Sequence, residues 1–323
     1  MSEAHEARDP ASAVDAVDAV DRVVARIRAT YGRWNRQTPI AQMRADWDAL
    51  FPADVPAAVH AVDADGVPCE WVAAPGARPD RAIAYLHGGG FQLGSPRSHR
   101  ELMAALSAAS GACVLGIGYR MTPEHRWPVP LDDGCTAMRW LQAQGLAGDR
   151  VAVAGDSAGG GLALALLLSL PAQGLPRPAA GLTLSAWTDM GARGESYDTR
   201  AAQDPLHQRP MMRALARNYL GEAGDPDDPR ASPLCAAPVA LRTLPPLLLQ
   251  VGDRETLLSD SVDFARRVRE AGGQAECQVW PGMVHVFQQF PAELPEASRA
   301  LREAGAFLAG HLGCTPVTQR TPA

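Results

Sequence analysis

Ala152–Gly161 reads AVAGDSAGGG. A short apolar run, Val151–Ala154, enters it, and Gly159–Ser169 leaves it with the length and composition of a buried helix. Strand, tight turn and helix in that order mark one unit of an α/β sheet. Inside the turn, Gly155-Asp156-Ser157-Ala158-Gly159 matches G-x-S-x-G. Small flanking residues permit a sharp bend that lifts a serine hydroxyl above the sheet edge. The helix N-terminus also favours negative charge developing nearby. A glycine-rich turn without chemistry can carry the same letters. The strand before and the helix after favour Ser157 as a nucleophile.

The same rhythm extends outward. Apolar runs at Ala82–Leu86, Cys113–Ile117, Gly181–Ala186, Pro246–Val251 and Ala275–Trp280 read as buried strands. Val59–Asp63 and Cys69–Ala73 flank Asp65-Gly66, a hairpin signal. Helices are expected at Arg100–Ser110, Leu131–Gln144, Asp260–Ala271 and Glu296–Leu312. The alternation predicts an α/β fold with a mostly parallel, doubly wound sheet of eight strands. Two segments depart from it. Ala11–Tyr31 carries Ala13, Val17, Val20, Val24, Ile27 and Tyr31 on one stripe, and Thr38–Leu50 has Pro39 in its first turn; both read as helices. Trp187–Leu244 has no strand rhythm, and Met211–Leu220 within it reads as a helix. A long excursion from a strand end suggests a lid. The expected organisation is a helical cap segment over 1–50 and a catalytic domain over 51–323, with a second cap insertion at about 187–244.

The chain has 323 residues, 46% apolar and 20% charged, and a net charge of −6. These values suit a globular protein with a large core and argue against a nucleic-acid binder, which would show a basic face. The six cysteines form no CxxC, so reduced thiols and a cytoplasmic setting are expected. Met1–Ala29 has no continuous apolar run of the signal-peptide kind, and no membrane span is expected. A homo-oligomer is left open.

Leu86–Phe91 reads LHGGGF, directly after a strand. Three glycines allow backbone N–H groups to face a cavity unobstructed, as acyl transfer requires for its oxyanion. A phosphate cradle is the rival, but neither G-x-x-x-x-G-K-[ST] nor a correctly placed G-x-G-x-x-G is present. A serine nucleophile needs a base and an orienting acid, in the chain order Ser, acid, His. Three histidines follow Ser157. His207 in the cap and His311 near the last helix end read as surface residues. His285, in WPGMVHVF after the last strand, stands where the base belongs. The acid belongs in Gly252–Asp260; Asp260 reads as the cap of the next helix, and Asp253 and Glu255 both remain open.

HGGGF and GDSAGG, with YRMTPEHRWPVPLDD at Tyr119–Asp133 between them, resemble the hormone-sensitive-lipase-like, or family IV, bacterial esterases of the α/β-hydrolase fold. The resemblance runs from about Ala57 to Leu312. It implies an acid at the head of a D-P-L or E-x-L signature about thirty residues before the histidine. Glu255-Thr256-Leu257 fits, 30 positions before His285, so the resemblance selects Glu255 and leaves Asp253 as runner-up. Most of the family uses Asp there, and this chain matches a Glu-using subgroup. The resemblance further implies oxyanion donors at Gly88, Gly89, Gly90 and Ala158, with His87 and Asp156 supporting the loops. It assigns no chemistry to Pro123–His125.

The resulting expectation is a serine carboxylic-ester hydrolase working through an acyl-enzyme on small or short-acyl esters, with lactones and acetylated metabolites in range. No metal or organic cofactor is needed, and the partner is a small-molecule ester. Phe91, Trp187, Met211 and Met212 are the expected pocket lining. An acyltransferase or amide hydrolase would use the same three residues. A non-catalytic ligand receptor is the remaining alternative; plant hormone receptors resembling this family lack a working histidine, whereas His285 is present.

Overall fold

A computed structural model describes residues 10–222 and 224–317. Eight strands form one sheet: β1 (Ala58–Ala64), β2 (Val67–Ala73), β3 (Arg78–Leu86), β4 (Ala112–Ile117), β5 (Val151–Asp156), β6 (Ala180–Leu184), β7 (Leu247–Gly252) and β8 (Ala275–Trp280). Their spatial order is β1-β2-β4-β3-β5-β6-β7-β8. β2 is antiparallel to both β1 and β4, and all later pairings are parallel. Asp65 and Gly66 both have positive φ, 55° and 91°, which is what a two-residue hairpin turn demands.

The helices are α1 (Pro10–Tyr31), α2 (Ile40–Asp48), α3 (Arg100–Ser110), α4 (Val129–Ala143), α5 (Ser157–Ser169), α6 (Ser196–Thr199), α7 (Arg209–Leu220), α8 (Pro238–Leu241), α9 (Leu258–Glu270) and α10 (Pro295–Leu312). Side chains alternate across a strand, so β5 feeds two cores. Val151 and Val153 pack with Leu162 and Leu166 of α5 and Phe264 of α9. Ala152 and Ala154 pack with Leu102 of α3 and Leu301 of α10. A third core joins Val20, Val24, Ile27 and Trp47 of α1 and α2 to Trp280 at the end of β8 and to Phe287 and Phe290 beyond it. The side chains of Ala13 and Val17 lie outside the described residues. Among the described residues, no helix is long and apolar enough to cross a membrane.

Among the boundaries that differ from the sequence reading, two have plain physical reasons. The strand expected to run to Ala186 stops at Leu184, because Ser185 turns into the left-handed region at φ 51°. Asp260 is not the helix cap. α9 begins at Leu258, and Asp260 lies buried in its first turn, accepting the Thr188 and Asp189 amides at 2.7 and 3.0 Å. Burial pushes the Asp260 carboxyl up to about 7.

Candidate active site

β3, β5, β7 and β8 all point their carboxyl ends to one edge, where α/β sheets place their sites. At the end of β5 the chain turns into α5 through Ser157, whose φ is 52°. Such a conformation in a non-glycine residue is strained and persists only where its surroundings hold it. Glycine flanks make it possible: a Cβ on Gly159 would stand 2.1 Å from the Leu86 carbonyl oxygen.

Ser157 Oγ lies 2.8 Å from His285 Nε2, and His285 Nδ1 lies 2.7 Å from Glu255 Oε2. All three residues are buried. Glu255 Oε1 accepts hydrogen bonds from the Gly252 amide at 2.6 Å and the Ser185 hydroxyl at 2.7 Å. Ser185 Oγ in turn accepts the Val286 amide at 3.0 Å, so one hydroxyl holds both the acid and the backbone beside the histidine. With the carboxylate accepting on both oxygens, Nδ1 carries the proton and Nε2 is free to accept from Ser157. Burial alone would lower the His285 pKa. The charge and hydrogen bond of Glu255 outweigh it and raise the value above ordinary histidine. Asp253 points elsewhere: its carboxylate accepts the Gly282 amide at 2.7 Å.

The LHGGGF loop lies alongside. Gly89 and Gly90 have φ of 119° and 62°, and a Cβ on Gly89 would stand 2.1 Å from the Leu93 carbonyl oxygen. Their amides have no acceptor among the described residues. Ala158 sits in the first turn of α5, where amides lack helical partners. Gly88 departs from the expectation, because its N–H is already donated to Asp156 Oδ1 at 2.9 Å. That carboxylate also accepts Tyr85 Oη–H at 2.8 Å and faces His99 Nε2 at 3.2 Å. Burial would raise the Asp156 pKa, yet the charge and hydrogen bond of His99 hold it below the usual range. Asp156 therefore joins the loop to the strand end beneath Ser157.

A cavity of about 320 Å³ opens over these groups. Its walls come from α1 and α2 (Ile27, Tyr31, Met43, Trp47) and from the excursion after β6 (Met211, Met212, Leu215), with Trp187 at the base. Phe91 does not line it. Phe91 is buried with φ 61°, and its ring stacks on Tyr219 at 3.6 Å. His311 is exposed. His207, expected at the surface, instead lines the cavity and packs edge-to-face on His285, ring centroids 4.2 Å apart. Its segment is pinned by Asp204, which accepts the His207 amide on one oxygen and the Thr256 amide, next to Glu255, on the other. Burial pushes the His207 pKa down to about 3, with the charge of His285 acting in the same direction. Among the described residues no group of three or more His, Cys, Asp or Glu is arranged to hold a metal ion.

An alpha/beta hydrolase fold family matches residues 83–289, which span both glycine motifs and the Ser157–His285–Glu255 chain. A solved esterase from the bacterial hormone-sensitive lipase family is 41% identical, with a TM-score of 0.86, over 95% of this chain and all of that one. The chain belongs to this esterase family. An acetyl-hydrolase of Streptomyces hygroscopicus is 44% identical over 74% of this chain and 78% of its own length. An ethyl acetate hydrolase of Pseudomonas putida is 35% identical over 68% of this chain and 70% of its own. Sequence reasoning missed Ser185, His99, Asp204 and His207 as parts of this esterase's site. The first three act through other groups and carry no motif. His207 is brought in by tertiary contacts of a segment without regular rhythm.

Proposed function

We propose that this esterase cleaves short-acyl carboxylic esters with Ser157 as nucleophile, His285 as base and Glu255 as orienting acid. Ser157 Oγ attacks the ester carbonyl while His285 Nε2 takes its proton. The amides of Gly89, Gly90 and Ala158 bind the oxyanion of the tetrahedral intermediate, and Glu255 stabilises the imidazolium. His285 returns the proton to the departing alcohol. Water then attacks the acyl-enzyme by the same route and releases the acid. The single observation carrying this reading is the continuous hydrogen-bonded chain Ser157–His285–Glu255 under the cavity. The cavity's modest size, near the lower end of small-molecule sites, supports short acyl groups. So do the acetyl-hydrolase and ethyl acetate hydrolase relatives. In this reading α1, α2 and the excursion between β6 and β7 act as the cap.

The test is release of a chromogenic alcohol from acetate, butyrate and octanoate esters. Wild type should prefer the short esters, and Ser157→Ala should reduce turnover to background. Equal turnover by wild type and Ser157→Ala would overturn the reading.

A further inference from the structure

The catalytic chain is fully accounted for, yet one polar side chain in contact with it has no assigned task. His207 touches His285, lines the cavity and leaves both ring nitrogens without a hydrogen-bond partner among the described residues, Nδ1 being buried. Nδ1 is closed off, so Nε2 is the ring nitrogen that a ligand in the cavity can reach, and it has no protein partner to satisfy it among the described residues. Tyr31, Gln92 and Gln289 bring other polar side chains to the lining, but none of them packs on the His285 ring as His207 does. Met211, Met212, Leu215 and Trp187 are apolar or apolar-faced, and the Trp34 indole N–H is already given to Asp46 at 2.9 Å. The position of His207 is also held firmly. Its amide and that of Leu206 both donate to Asp204 Oδ1 at 2.9 Å, while Asp204 Oδ2 takes the Thr256 amide at 2.7 Å.

Which end of a substrate meets this side chain follows from the proton's path. The departing alcohol oxygen must come within hydrogen-bond reach of His285 Nε2, because that atom protonates it. Groups attached near that oxygen therefore lie over His285 and beside the ring packed against it. We propose that His207 is a specificity-determining residue that hydrogen-bonds an oxygen on the alcohol portion of the ester, next to the leaving oxygen. The substrate class it fits is the short-acyl monoester of a 1,2-diol. The proposal rests on the catalytic reading above. A neutral imidazole offers one donor and one acceptor, so it can pair with a hydroxyl in either sense. It gains no comparable contact with a plain alkyl ester of the same length.

2-Hydroxyethyl acetate and propyl acetate differ by one hydroxyl in place of one methyl and share the acyl group. The readout is the ratio of their kcat/KM values, in which the amount of folded enzyme and any common effect on His285 cancel. Wild type should favour the hydroxyethyl ester. His207→Phe keeps an aromatic edge against His285 in a slightly larger ring without nitrogens, and it should lower the ratio about five- to tenfold, the worth of one hydrogen bond. His207→Gln, which restores a donor and an acceptor, should recover part of it. An unchanged ratio in His207→Phe would overturn the proposal, as would equal values for the two esters in wild type. Failure of wild type to outpace Ser157→Ala on either ester would instead overturn the catalytic reading beneath it.

Discussion

The floor and the roof of the cavity are built on opposite principles. The floor is polar and over-determined: Glu255 receives hydrogen bonds from Gly252, Ser185 and His285, and Asp156 from Gly88 and Tyr85. Ser157, Ser185 and Val286 hold left-handed φ of 52°, 51° and 48° there. The roof meets the cavity mainly through apolar and aromatic side chains, Ile27, Tyr31, Trp47, Met211, Met212 and Leu215, with His207 its pinned polar member. Atoms that must be placed to a fraction of an ångström are tied by directional bonds. Surfaces that need only exclude water and fit a chain are made of adaptable hydrophobes.

The contrast predicts where substitutions will hurt most. Ser157→Ala and His285→Ala should each reduce kcat by about 10⁵ to 10⁶, with the double variant little worse, because residues acting as one unit lose together. Additive losses in steady-state kinetics would break the idea of a single unit.

The next effect separates two carboxylates of one loop. Glu255→Gln should lower kcat by up to ~10⁴, while Asp253→Asn, at a carboxylate hydrogen-bonded to the Gly282 amide rather than to His285, should keep most activity. The pH profile sharpens this. Since Glu255 raises the His285 pKa, wild-type kcat/KM should fall on the acid side through a value above the usual ~6.5. In Glu255→Gln the residual activity should show that limb at lower pH. An unmoved limb would disconnect Glu255 from the base.

The roof should respond in degree. Met211→Ala with Met212→Ala enlarges the cavity and should shift the butyrate-to-acetate kcat/KM ratio upward about tenfold, against near-constant turnover of acetate. Phe91→Ala should leave that ratio alone and instead cost about 3–5 kcal/mol in denaturant unfolding, the usual penalty for emptying a buried aromatic site.

The last effect leaves turnover aside and lies at the joint between floor and roof. Asp260 accepts the amides at the start of the excursion while buried, with its carboxyl raised to about 7. A group whose folded pKa is raised favours folding at low pH and loses that contribution as pH rises from its unfolded value near 4 through about 7. Asp260→Asn keeps the accepting Oδ1 and cannot ionise. Its denaturation midpoint relative to wild type should therefore rise between pH 4 and 7. A flat difference would show that Asp260 is not the titrating group.

The sheet is legible in sequence because buried strands announce themselves as short apolar runs, and the turn at Ser157 because its small residues are contiguous. His285 and the acid loop follow from chain order on that sheet, but the choice of Glu255 over Asp253 does not. It depends on a backbone path that sends Asp253 toward Gly282, and only the family resemblance points to it from sequence. Gly88 reads like its neighbours until the Asp156 carboxylate is seen to occupy its amide. Phe91 follows a glycine run and looks like lining, yet its left-handed backbone turns the ring onto Tyr219. His207 is hidden for a different reason: its place is set by Asp204 and Thr256, residues 52 positions apart.

That last bond has a consequence for protein engineering. Asp204 belongs to the roof, but its carboxylate terminates in the loop that presents Glu255. The excursion is thus not an interchangeable module. A chimaera that grafted a relative's segment between β6 and β7 to acquire new substrate scope would remove an anchor of the Glu255 loop along with the old cavity wall. Recombination crossovers placed on either side of 187–244 must carry a carboxylate that reaches Thr256, or the transplanted segment will arrive with the Glu255 loop loosened.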